Sequence, residues 1–297
     1  MNALQAWLIS VVVLASVYWP LEWAWPAREG QRWLRARVGT DFLFLTGQYL
    51  LWNAVALSVL LFVREQADLS SALTSFRALA HQQPFALQVL EALLLGDLSV
   101  YWFHRASHRF ELLWRFHAVH HTSETVDWIA AHREHPVDGV LTQLFINLPG
   151  IALGFDFATI SSFIVFRGLW AIFIHSNVRL PLGPLAYLFG SPQWHRWHHA
   201  KHPGVVANFA NLSPWCDFLF RTHHHGASGN ETYELGVPES WPTSYPGQLL
   251  APFLPRAWWP RVFGSLTRAP SVSTEPDAQV MQTPEANVLG RGADHRP

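Results

Sequence analysis

The stretch "DFLFLTGQYLLWNAVALSVLLFV", residues 41–63, sets the architecture, because after Asp41 it carries no charged side chain. A helix of roughly 20 apolar residues crosses a hydrocarbon core, where only a closed backbone ladder satisfies its own N–H and C=O groups. Two further runs share this character, "LQAWLISVVVLASVYWPLEWAW" (4–25) and "PFALQVLEALLLGDLSVYWF" (84–103). The composition agrees: half of the 297 residues are hydrophobic, 14% are charged, and 16 Trp and 20 Phe exceed what an ordinary soluble core absorbs. A net charge of -1 gives no reason to expect a nucleic-acid partner.

Charge then orients the spans. No basic residue precedes the first run, whereas Arg28, Arg32, Arg35 and Arg37 follow it, so the N-terminus is expected outside and the Arg-rich loop inside. The run 41–63 leads out again, and 84–103 returns to the Arg-rich side. The next apolar stretch, 137–178, is interrupted around "PGIALGFD" (149–156), which predicts a helical hairpin that dips into or crosses the membrane and brings His175 to the side of His104. After Pro181 the chain is rich in Pro, Trp and His without a spanning run, as expected of a cap. Beyond Phe263 no aromatic residue occurs, the composition of a disordered tail. The expected fold is all-α: an integral membrane protein with about four transmembrane helices or helical hairpins and a cytoplasmic His-rich helical cap. It divides into N-terminal spans (1–84), a catalytic unit (85–262) and the tail (263–297).

The chemistry lies in the histidines, of which there are 17, beside a single cysteine, Cys216. One cysteine excludes an internal disulfide and any Cys-rich zinc or iron–sulfur site. Three boxes have helical spacing: "HRASH" with His104 and His108, "HAVHH" with His117, His120 and His121, and "HRWHH" with His195, His198 and His199. Residues at i, i+3 and i+4 share a helix face, so each box projects its rings into one small volume. One ion takes about four protein ligands, so eight candidates point to two metals. Without a cation, crowded imidazoles in an apolar setting must stay neutral or repel one another.

His175, His135 and, less directly, His132 are further candidates. Asp97, seven residues before His104, and Glu124 and Asp127, just after the second box, are placed to accept the free ring N–H of a ligating histidine. His81, His202, His223, His224, His225 and His295 read as ordinary surface or packing residues, although the run 223–225 can bind metal adventitiously. Trp194 and Trp197 are expected to anchor the cap at the membrane interface.

These boxes, in this order, resemble the fatty acid hydroxylase and sterol desaturase superfamily of membrane-bound di-iron oxygenases. The resemblance is carried by "DLSVYWFHRASHR", "LLWRFHAVHHTSE", "HREHPVD", "FIHSNVRLPLGPL", "SPQWHRWHHAKH" and "NFANLSPWCDFLF". It implies metal ligation by His104, His108, His117, His120, His121, His195, His198 and His199, with His175 as a ninth, and no catalytic group separate from these ligands. His135, Asp97, Glu124, Asp127 and Asn177 are possible ligands or partners of ligands. Some members carry a second histidine near the position of His175, where Val178 and Arg179 stand here.

The implied activity is hydroxylation or desaturation of a C–H bond of a lipid (sterol, fatty acyl or related) with O2, two Fe ions and external electrons; Zn can replace Fe in purified protein. No dinucleotide fingerprint, haem-attachment motif or Fe–S cysteine set is present, so the electrons are expected from a cytochrome, ferredoxin or flavoprotein reductase. The Arg-rich loop 28–37 and Arg105, Arg109, Arg115 and Arg133 are candidates to receive it. Two other classes are open at this point. A membrane zinc hydrolase lacks its usual "HExxH" signature here, and a non-catalytic metal carrier would spread its ligands through several spans.

Overall fold

The computed structural model describes residues 2–201, 206–225, 231, 233–264 and 266, apart from the side chains of residues 71 and 157–164. Among the described residues the secondary structure is helical, and the only extended pairings are isolated bridges such as Pro26 with Val178. Four helices are long and apolar enough to cross a membrane: Ala3–Ala24, Val38–Asp68, Phe85–Arg109 and Pro136–Leu153. Large apolar side chains stand exposed along them, among them Val12, Phe62 and Leu94. In water this would be an aggregation surface; in lipid it is the solvated one.

The first helix starts on a capping box, in which the Asn2 side chain accepts the Gln5 N–H and the Gln5 side chain accepts the Asn2 N–H. The second contains a π-helical turn at Gln48–Trp52. The interruption expected at 149–156 falls at Gly154, whose φ of 75° closes the helix in the left-handed conformation. Pro149 lies inside that helix without ending it. The following helix, Phe157–His175, carries the chain back and ends on His175.

The polar connector 64–84 holds an unexpected helix, Ser71–His81, which buries Ala80 against Leu153 and Phe155 and exposes Phe76 and Leu79. Arg77 ties it down by donating to the carbonyls of Ala152 and Ile151. The residues of the expected tail beyond 266, and His202 and His295, lie outside the described residues.

At the opposite end of the bundle the helix ends converge. Ala27 N–H donates to Asn177 O and Arg179 N–H to Trp25 O, so the Arg-rich loop sits beside the end of the Phe157–His175 helix. Asn177 reinforces the seam, accepting the Arg28 N–H and donating to Arg28 O. Arg35 then bridges Asp41, at the start of the second span, to Asp127. A C-terminal layer closes the arrangement: Val237, Trp241, Ala251 and Trp259 pack with Phe44, Ala118 and Val119.

Candidate metal centre

His104 and His108 occupy the last turns of the Phe85–Arg109 helix. Phe110 adopts an extended conformation, so the chain turns there and starts a separate helix, Glu111–His121, bearing His117, His120 and His121. The third box lies on the short helix Pro192–His198, begun by Ser191, whose hydroxyl accepts the Trp194 N–H, and by Pro192 in the first turn. Arg196, fully buried inside this box, binds Glu231 through two nitrogens at 2.8 and 2.7 Å and donates to the carbonyls of Ser176 and Val178. That clamp fixes the third box against the end of the helix carrying His175.

The nine histidines fall into two groups. His104, His108, His117, His121 and His198 form one; His120, His175, His195 and His199 form the other. In each, one ligand atom per residue lies within 4.8 Å of all the others. The closest Nε2–Nε2 separations are 3.2 Å for His108–His198, 3.1 Å for His117–His121, 2.9 Å for His120–His175, 2.8 Å for His175–His195 and 3.2 Å for His195–His199. Nitrogens bound to one ion at roughly 2.0–2.1 Å are separated by about 2.9 to 3.4 Å at octahedral or tetrahedral angles.

The opposite ring nitrogens show what those contacts are. Nδ1 of His104 meets Phe209 O at 2.7 Å, that of His120 meets Arg133 O at 3.0 Å, that of His175 meets Ala171 O at 2.6 Å, and that of His198 meets Ala207 O at 2.7 Å. A main-chain carbonyl only accepts, so each of these Nδ1 atoms carries the proton and each Nε2 presents a lone pair. His117 has the same polarity, with Nδ1 2.9 Å from Asp138 Oδ2. Neutral His120 and His175 therefore aim lone pairs at each other, an arrangement that a shared cation satisfies. Nε2 of His104 is likewise buried, with no hydrogen-bond partner among the described residues. The donor set fits a pair of nitrogen-loving metal ions.

Electrostatics keep the rings neutral. Burial first, then repulsion by neighbouring imidazoles, pushes His121, His195 and His199 well below the usual histidine range. Burial lowers His120 to about 4 and His198 to about 3.

The carboxylates expected beside the rings are elsewhere. Asp97 pairs with Arg167 at 2.7 Å, Asp127 with Arg35 at 2.6 Å, and Glu124 with Arg37 at 3.2 Å on the surface. His135 caps the Pro136–Leu153 helix by accepting the Val137 N–H, and its Nε2 meets Leu249 O; it stands outside both groups. Buried His132 faces Trp128 O instead. Asn177 is engaged with Arg28, as above. Asp138 takes the part assigned to the other acids. It lies in the quoted "HREHPVD" motif, in the first turn of a helix, and that was the available signal. Arg133 positions His120 indirectly, since its carbonyl holds the ring while its guanidinium binds Asp41 and Thr122.

Trp194 and Trp197 are buried rather than interfacial. Trp194 packs on Tyr187, Phe218 and His223, and Trp197 stacks on His224 at 4.6 Å.

Residues 89–222, which include all nine histidines, match the fatty acid hydroxylase family. The matched domain resembles that family. The domain is similar to the ornithine lipid hydroxylase OlsE of Rhizobium tropici, at 33% identity over 58% of this chain and 52% of that protein. It is also similar to the alkylglycerol monooxygenase of Danio rerio, at 29% identity over 57% of this chain and 37% of that protein. The very-long-chain aldehyde decarbonylase GL1-11 of Oryza sativa subsp. indica is 31% identical over 50% of this chain and 57% of that protein. The matched part of the chain thus spans about half or less of the first two relatives' own length. No solved structure matches significantly.

Proposed function

We propose that the chain is a membrane-bound non-haem di-iron oxygenase that hydroxylates or desaturates a C–H bond of a lipid, using O2 and electrons from a separate carrier protein. The observation that carries this reading is the pair of converging sets, five and four histidines, in which His104, His117, His120, His175 and His198 hold Nδ1 against a carbonyl or Asp138 and so turn the Nε2 lone pair inward. His104, His108, His117, His121 and His198 would hold one iron, and His120, His175, His195 and His199 the other. Iron held by neutral imidazoles supplies redox chemistry toward O2 that zinc does not.

The chain's own residues orient and seclude that chemistry. Asp138 and four main-chain carbonyls lock the tautomers, and the Arg35–Asp41–Arg133 network holds the second box in register. The C-terminal layer around Trp241 and Trp259 packs on the helix of the second box, which supports 85–262 as the catalytic unit. The named relatives act on lipids, and the exposed apolar faces of the spans give a lipid substrate its route. A zinc hydrolase would need a general base, and the carboxylate nearest a ring, Asp138, already accepts from His117.

The Arg-rich loop lies at the same end as the histidines, which supports the cytoplasmic side for the site and for the electron donor. Arg35 and Arg133 are engaged in buried ion pairs, which leaves exposed Arg32 and Arg109 as surface for an acidic donor.

Anaerobic metal analysis of the purified chain, followed by mass spectrometry of host-membrane lipids with and without the gene, tests the proposal. Two irons per chain and a gene-dependent oxidised lipid are expected. A chain that binds no iron under anaerobic loading, or host lipids identical in both strains, would overturn it.

A further inference from the structure

The first span carries one charged side chain, Glu22, two residues before its end. An acidic group on a membrane helix is costly, so it turns toward the bundle interior and takes partners there. Glu22 finds them in two segments distant in sequence. One oxygen, Oε1, accepts both the Trp128 N–H and the Asn177 N–H, each at 2.9 Å.

Each segment holds a ring of the four-histidine group. Trp128 opens a tight turn in which Asp127 accepts the Ile129 and Ala130 N–H groups and Arg133 N–H donates to Ala130 O. The turn ends at Arg133, whose carbonyl holds Nδ1 of His120. Asn177 follows His175 by two residues, and His120 and His175 are the rings whose Nε2 atoms stand 2.9 Å apart. The rest of the span fixes the carboxylate in register. Tyr18, four residues earlier and so on the same helix face, donates its hydroxyl to Leu169 O on the helix that ends at His175, and Leu14 and Tyr18 pack with Trp128. The five-histidine group is held from elsewhere, through Phe209 O, Ala207 O and Asp138.

We propose that Glu22 is a positioning residue for one of the two metal ions: it sets the separation of His120 and His175, so that the first span, outside residues 85–262, is part of the four-histidine site. The ion it serves rests on the di-iron reading, whereas the bridge from the 127–133 turn to residue 177 does not. Glu22→Gln keeps a carbonyl oxygen for both N–H groups. Glu22→Met keeps the length of the side chain and removes the oxygen.

Full-length protein in detergent, loaded anaerobically with ferrous iron, is titrated with a chelator of known affinity. Wild type and Glu22→Gln are expected to hold two ions alike, while Glu22→Met holds one ion as tightly as wild type and the other about 10-fold more weakly. Amide hydrogen exchange of the metal-free chain, read by mass spectrometry, is expected to quicken in Glu22→Met across 127–133 and 175–178 and to stay unchanged across 104–117. A general loosening of the fold would instead weaken both ions together and quicken exchange throughout, and that result overturns the proposal. Two ions held with wild-type affinity in Glu22→Met, or a Glu22→Gln variant no better than Glu22→Met, overturns it as well. Glu22→Ala, which admits water to both N–H groups, takes the place of Glu22→Met in both measurements if that variant melts early. Wild type holding fewer than two ions removes the di-iron reading alone; exchange then decides the bridge by itself, which stands if the two segments quicken together and falls if they do not.

Discussion

Nε2 of His120 lies 2.9 Å from Nε2 of His175, and the remaining nitrogen of each ring donates to a main-chain carbonyl, Arg133 O and Ala171 O. Two helices distant in sequence thus meet through lone pairs, a contact that is repulsive without a cation and cohesive with one. His120→Ala or His175→Ala is therefore expected to remove lipid oxidation and to lower bound metal from about two ions per chain to about one or none, since an ion needs about four such ligands. Metal analysis on gel-filtered variants, beside wild type loaded in parallel, makes the comparison. Unchanged metal content in both variants refutes the two-ion assignment.

Asp138 tests the layer behind the ligands. Its carboxylate fixes the His117 tautomer from 2.9 Å, and loss of such a partner costs about 10–100-fold in metal affinity. Asp138→Ala is expected to fall in that range, read by competition with a chelator of known affinity. Asp138→Asn keeps a carbonyl acceptor and is expected to lose less. Equal effects of the two substitutions would mean that charge, not tautomer control, is what Asp138 contributes.

Acid should dismantle the site in a defined window. With burial holding folded His120 near 4 and folded His198 near 3, while unfolded histidine titrates near 6.5, the unfolded chain binds more protons below that value. Stability therefore stays level above about pH 6.5 and falls as pH drops toward about 4, each unit of difference per ring amounting to about 1.4 kcal/mol. Metal should be released over the same range, because protons compete for the same lone pairs. Melting temperatures of chelator-stripped protein in detergent, from neutral pH to pH 4, check this; a flat profile would contradict the buried, neutral state of the rings.

Spans and histidine boxes were legible in the sequence because both are periodic: apolar length reports a bilayer crossing, and spacing of three and four reports a shared helix face. The helix at 71–81 did not stand out, since it is far too short for a span and its anchor, Arg77, bonds to carbonyls more than seventy residues away. The acceptors of the ring protons were hidden for a related reason. Four are main-chain carbonyls, which any residue can supply, and only Asp138 has a side chain to notice. Asp97 was expected to accept the ring N–H of a ligating histidine, but its partner is Arg167, and nothing local in the sequence joins residues seventy positions apart.

The Asp97–Arg167 pair itself yields the last test. Both side chains are nearly inaccessible, Arg167 donates a second bond to Leu93 O, and the main-chain N–H groups of Leu212 and Ser213 donate to Asp97. The pair therefore joins the helix bearing His104, the helix bearing His175 and a loop of the cap. Gly96 lets them approach, because a Cβ there would lie 2.9 Å from Ile146 O and 3.1 Å from Nη2 of Arg167. Removing one partner leaves an uncompensated charge in an apolar setting, so Arg167→Met or Asp97→Leu should each cost about 3–5 kcal/mol, while the double variant should recover most of that loss. Unfolding in mixed micelles across the double-mutant cycle reads the coupling, which should be large and favourable to the native pair. Additive single losses would show that each side chain acts alone, and the pair would then no longer account for how the two histidine-bearing helices are held together.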